Sequence, residues 1–115
     1  MEEKNKFQIK SIICNKDKLN IEFNDNYKSI ISAELLRVES PSAEVQGHSV
    51  KEKVTPLNKK YISIINIEKV GNYAIRIIFD DGHDTGIYSW VYLRKMSEQN
   101  AELYRDYLDR VKKIS

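Results

Sequence analysis

Few side chains in this sequence can do chemistry. There are two histidines, His48 and His83, and a single cysteine, Cys14. A catalytic site needs a nucleophile, a base and an orienting group within reach of one another. Cys14 with His48 or His83 is a formal thiol–imidazole set. Cys14, however, sits in the run Ile12-Ile13-Cys14, where a small buried hydrophobe is expected rather than an activated thiolate. The densest polar group is Asp80-Asp81-Gly82-His83-Asp84. It could hold a divalent cation weakly, but the same residues make an ordinary polar turn, and the turn is the expectation. No Cys-x-x-Cys or His-x-x-x-His spacing marks a zinc site, and no glycine-rich phosphate loop occurs. Tyr88, Trp90 and Tyr92 could present a stacking face or anchor the junction of a sheet and a helix. The core is the expectation for such large rings.

The elements that must position these groups belong to one domain. The chain has 115 residues, 41% hydrophobic and 31% charged. That length supports one self-sufficient core, without a metal or disulfide to hold it. A net charge of +2 with 19 basic and 17 acidic side chains is too balanced to draw the chain onto nucleic acid or an anionic membrane. The residues Met1-Glu2-Glu3-Lys4-Asn5-Lys6 carry no apolar leader, and no apolar run approaches the ~20 residues of a membrane span. The expected location is the cytoplasm.

Residues 7–13 alternate, with Phe7, Ile9 and Ser11 on one face. Leu19, Ile21 and Phe23 alternate more cleanly, and Asn15-Lys16-Asp17-Lys18 is a turn, so this is a predicted hairpin. A turn at Asn24-Asp25-Asn26 leads to a strand over 28–31. Ser32 caps a helix through Ala33-Glu34-Leu35-Leu36-Arg37, which Pro41 ends. Ser40 with Pro41 starts another helical turn that Gly47 closes. Residues 48–60 read as a surface loop. Apolar runs over 61–70 and 73–79 flank a two-residue Gly71-Asn72 turn, and a strand over 85–88 completes a meander. Ser89 caps a helix through Met96. Ser97 caps an amphipathic one carrying Tyr104, Tyr107, Leu108 and Val111. The fold class is therefore α+β, an antiparallel sheet or meander with helices on one face.

Two separated motifs carry a resemblance. Val70-Gly71-Asn72-Tyr73-Ala74 with Phe79-Asp80-Asp81-Gly82-His83-Asp84-Thr85-Gly86-Ile87-Tyr88-Ser89-Trp90 closely resembles the small family named after the N-terminal domain of gamma-butyrobetaine hydroxylase. Leu36-Arg37-Val38-Glu39-Ser40-Pro41-Ser42-Ala43-Glu44-Val45 looks like the same family's upstream motif. The likeness spans about residues 7–98, and the C-terminal helix over about 97–113 looks like that of stand-alone bacterial members. One domain over residues 1–115 is expected.

The resemblance implies a two-layer α+β fold. It also implies that relatives occur fused to iron–sulfur cluster carrier ATPases. In the carnitine-synthesis hydroxylases the domain holds a structural zinc through three cysteines and a histidine. Those positions fall on Ser40, Ser42, Val45 and His83 here, so no structural zinc and no cofactor is expected. The hydroxylase's iron and 2-oxoglutarate chemistry lies in its other domain, so no hydroxylase activity is expected. Zinc geometry in the relatives implies that Ser40, Ser42, His83 and Asp84 share one surface. With Arg37, Asp81 and Trp90 these form the candidate binding site. The reading is a non-catalytic binding or adaptor module for a protein partner, with iron–sulfur cluster assembly or transfer as the implied setting. The alternative is a small-ligand or metal-binding protein, or a small enzyme, using a site around His83.

Overall fold

The computed structural model describes residues 7–47 and 54–114. Three strands, β1 (Ile9–Asn15), β2 (Lys18–Phe23) and β3 (Lys28–Ser32), form one antiparallel sheet in chain order. Two short helices follow, α1 (Ala33–Val38) and α2 (Ala43–Gln46). A second antiparallel sheet contains β4 (Ile64–Val70), β5 (Ala74–Phe79) and β6 (Ile87–Ser89). Helices α3 (Trp90–Glu98) and α4 (Asn100–Ile114) complete the chain. The fold is α+β, with the strands divided between two three-stranded sheets.

Both sheets feed one core. On β2, Leu19, Ile21 and Phe23 are buried and alternate with partly exposed Asn20 and Glu22. From β5 come Ile75, Ile77 and Phe79, and from the helices Leu35, Leu36, Leu93 and Met96. Each such side chain contributes roughly 1.5–3 kcal/mol through its removal from water. The outer face of the first sheet stays open, with Ile13 and Ile30 exposed.

One hairpin turn ties the parts together. The Lys16 carbonyl accepts from the Ile64 N–H at 2.7 Å, and the Asp17 carbonyl accepts from the Ala33 N–H at 2.8 Å. The first hairpin thus fixes the start of α1 and the start of the second sheet. At its far end, the Arg94 guanidinium lies 4.6, 5.0 and 4.2 Å from the ring centres of Phe7, Phe23 and Tyr27. The same group bonds both carboxylate oxygens of Asp25, at 3.1 and 2.9 Å, and the Glu98 carboxylate at 2.7 Å.

Several local expectations are corrected. A bulge between Ile9 and Ser11 shifts the phase of β1, so Ile9 and Ile12 both pack against the core and Ser11 does not. Cys14 is exposed rather than buried: it shares a face with Ile12 but lies next to the last residue of β1, where the strand runs out to the turn. The second hairpin pairs Val70 with Ala74, so its loop has Tyr73 as a third member, and Gly71 supplies the positive φ of 53°. Ser42, not Ser40, caps α2 by accepting from the Glu44 N–H at 3.2 Å. Ser97 lies inside α3, where its hydroxyl donates to the Leu93 carbonyl at 2.7 Å, and α4 starts only at Asn100. Of the expected loop, residues 48–53, and with them His48, lie outside the described residues; residues 54–60 form no helix or strand.

Candidate functional site

The corner between α1 and α2 packs against the turn between β5 and β6. The first side contributes Ser40, wholly buried, and Ser42; the second contributes His83, 6% exposed. An Asx turn sets the histidine: the His83 N–H donates to the Asp81 carboxylate at 3.0 Å, and the Phe79 N–H returns to the His83 carbonyl at 3.0 Å. Gly82 allows the tight reversal with a φ of 89°. The ring is thereby aimed at the helix corner. His83 Nε2 lies 2.9 Å from Ser40 Oγ, and Nδ1 lies 3.0 Å from the Glu44 carboxylate.

The polarity of this chain of bonds follows from its members. Burial, with the Arg37 charge beside it, pushes the His83 pKa below that of an ordinary histidine, against the pull of Glu44 and Asp81. The ring is therefore neutral near pH 7. A carboxylate only accepts, so Nδ1 carries the proton toward Glu44. Nε2 is then an acceptor, and the Ser40 hydroxyl donates to it. Ser40 Oγ in turn accepts from the Ser42 N–H at 3.2 Å. Ser42 Oγ meets Thr85 Oγ1 at 2.7 Å, a second link between corner and turn. Nothing larger than hydrogen fits at Gly86, where a Cβ would lie 2.5 Å from Ser40 Oγ.

A charged cluster borders this network. The Asp81 carboxylate accepts from Arg37 at 2.8 Å and from Lys59 at 2.7 Å. Partial burial alone would raise the Asp81 pKa, but the bonds from Lys59, the His83 amide and Arg37 outweigh it and hold the carboxyl well below the usual carboxylate range. Beside it lie a buried phenol and a half-buried one: Tyr88 donates to the Leu36 carbonyl and Tyr92 to the Glu39 carbonyl. Burial raises both phenol pKa values, that of Tyr92 to about 12 with the Glu39 charge adding to it.

Of the residues expected to share a surface, Arg37, Ser40, Ser42, Asp81 and His83 do converge. Asp84 sits at the margin, its side chain half exposed and its carboxylate 3.6 Å from Arg76. Trp90 is elsewhere. Its position beside the Ala74–Ser89 pair places it at the opposite end of β5 from His83, with its indole N–H on the Asn72 carbonyl at 2.8 Å. Cys14 is also apart, in the first sheet, with its hydrogen bond on the Asn15 carbonyl. Sequence reasoning missed Lys59, Thr85 and the roles of Glu44 and Gly86. Only the first-turn position of Glu44 in α2 hinted at proximity to Ser42.

Serine, histidine and glutamate in this order form the relay of a nucleophilic hydroxyl. Here the hydroxyl is wholly buried and already accepts the Ser42 amide, so the relay works as a clasp between two chain segments. The four positions that the family resemblance sets against zinc ligands, Ser40, Ser42, Val45 and His83, do not suit the metal. Two are serines, one is the buried aliphatic Val45, and both nitrogens of His83 are engaged. Among the described residues no three His, Cys, Asp or Glu side chains are grouped to hold a metal ion.

A family model described as gamma-butyrobetaine hydroxylase-like, N-terminal, matches residues 12–94. Three solved structures are similar. A protein solved in solution by NMR is 37% identical with a TM-score of 0.82, over 99% of this chain and 86% of that one. A second NMR structure is 34% identical with a TM-score of 0.78, over 91% and 84%. A crystal structure of a protein of unknown function in the DUF971 family, from Acidithiobacillus ferrooxidans, is 32% identical with a TM-score of 0.64, over 78% and 92%. No curated protein matches. Among the described residues no helix is long and apolar enough to cross a membrane.

Proposed function

Because this chain belongs to the gamma-butyrobetaine hydroxylase-like N-terminal domain family, we propose that it is a non-catalytic binding module for a protein partner in the cytoplasm of a bacterium. One observation carries the reading: Ser40, whose hydroxyl lies on His83, is fully buried. A relay closed to substrate is a structural device, and its stiffness presents what surrounds it. Around it stand the exposed Glu44 and Asp84 carboxylates, 63% and 52% exposed, at the lip of the corner. Zinc is read as lost, its work of joining corner to turn taken over by the Ser40–His83 and Ser42–Thr85 bonds. Iron–sulfur cluster assembly or transfer is the partner class that the family resemblance implies.

The test is affinity capture from cell extract with the unaltered chain and with Glu44→Ala/Asp84→Ala. A partner bound by the first and lost by the second supports the reading. Retention of that partner by the double variant counts against it. The second reading, a small hydrolase, is favoured by the order of the relay alone. Covalent labelling of Ser40 by a fluorophosphonate in the folded protein would establish it in place of the first.

A further inference from the structure

A groove of about 920 Å³ opens at the margin of the core, far from the Ser40–His83 clasp. One wall is Gln8–Ile12, five consecutive residues at the outer edge of β1; the other includes Ile67 and Lys69 of β4, with Ile75 and Trp90 behind. Consecutive residues on one side and alternate residues on the other mean that the β1 edge overhangs the core-facing side of the second sheet.

Among the described residues that edge is unpaired. Strand β1 pairs with β2 alone, and among the described residues no backbone bond outside that ladder is made by residues 9–15. Every second N–H and C=O of such an edge points outward, ready for another strand. The floor is mixed: Ile75 and Trp90 belong to the core and Ile9, Ile12 and Ile67 pack against it, while Gln8, Ser11 and Asn72 add polar atoms. The charged side chains that line the groove are both cationic, Lys10 and Lys69. Lys10 is already engaged, by Asn26 Oδ1 at 3.1 Å and the Glu22 carboxylate at 3.6 Å, whereas among the described residues Lys69 has no carboxylate partner.

We propose that this groove receives an extended acidic peptide segment of a partner, added as a fourth strand to the β1 edge. Main-chain bonds would supply register, alternate apolar side chains would cover the half-buried Ile9, Ile12 and Ile67, and a carboxylate would meet Lys69. A basic or a folded helical partner fits neither the open edge nor the lysines. The groove shares no lining residue with the clasp. Loss of a captured partner on altering Glu44 and Asp84 would therefore not bear on it.

The chain's single tryptophan is the reporter, since Trp90 lines the groove. A capped synthetic peptide of about eight residues alternating valine and glutamate is titrated while Trp90 emission is followed. The expected result is a saturable change below ~1 mM that weakens with salt. The N-methylated form of that peptide should not bind. Lys69→Glu should weaken it about fivefold, while binding a valine–lysine peptide better than the unaltered chain does. No saturable change with the acidic peptide would overturn the proposal. So would equal affinity for the basic peptide, or self-association of the chain that buries Trp90 in place of the peptide.

Discussion

Ser40 Oγ and His83 Nε2 stand 2.9 Å apart across 43 residues of sequence, with both groups out of water. Each satisfies the other, and neither has solvent to fall back on. Removing the Ser40 hydroxyl leaves His83 Nε2 buried without a partner, the most expensive way to lose a hydrogen bond, and it also deprives the Ser42 N–H of its acceptor.

Ser40→Ala should therefore destabilise the chain by roughly 1–3 kcal/mol, measured by urea unfolding. Ser42→Ala removes a cap and the Thr85 link and should cost about 1 kcal/mol. A Ser40→Ala variant as stable as the unaltered chain would show that the clasp contributes nothing.

Gly86→Ala tests the same contact from the other side. Its Cβ would press on Ser40 Oγ at 2.5 Å and on the Tyr88 ring at 3.1 Å. Overpacking of this kind costs roughly 1–3 kcal/mol. The His83 ring signals in an NMR spectrum should move as Ser40 is displaced.

Stability should depend on pH through His83. Its folded-state pKa lies below the ordinary value of 6.5, so the unfolded chain takes up the proton first as pH falls. Unfolding is then favoured by acid: stability is complete above 6.5 and is lost as pH falls from there toward the folded-state value. Melting temperature measured from pH 8 to pH 5 should decline in that window, and His83→Gln should flatten the decline. Below 3.8 a second loss is expected as Asp81, held low in the folded chain, is forced to take a proton.

Metal removal should change nothing. Ser40, Ser42 and Val45 offer no thiolate and both His83 nitrogens are engaged, so purified protein should carry no stoichiometric zinc by elemental analysis. A chelator should leave its melting temperature unchanged. A drop on chelation would mean that His83 is a ligand after all.

Arg94→Lys should destabilise by about 1 kcal/mol despite keeping the charge. The ammonium group cannot lie flat among Phe7, Phe23 and Tyr27 while bonding both oxygens of Asp25. A thermal melt equal to that of the unaltered chain would contradict this account.

Much of the fold was legible where one face of an element is buried and the other wet. The alternation Leu19-Ile21-Phe23 and the Ser32 and Ser89 caps are local signals, and they are where expected. Ile9 to Cys14 misled because a bulge is a property of the paired strand, invisible in the alternation it interrupts. Ser40 was read as a cap because serine before proline is a local cue, whereas its hydroxyl is taken by a histidine far along the chain. Ser97 looked like a start signal, yet its hydroxyl serves the preceding turn of its own helix. At the site, family motifs brought Ser40, Ser42 and His83 together. Lys59 lies outside those motifs and Thr85 stands in one without a role, since a hydroxyl or an ammonium group on a loop finds its partner only once the chain has folded.

The Lys16–Asp17 turn has a practical consequence for anyone inserting a reporter into this chain. Exposed hairpin tips ordinarily tolerate added residues. This one carries the carbonyls that hold Ile64 and Ala33. Lengthening it would detach the second sheet and the first helix from the same point, so the most solvent-facing turn of the first hairpin is among the least permissive places to graft.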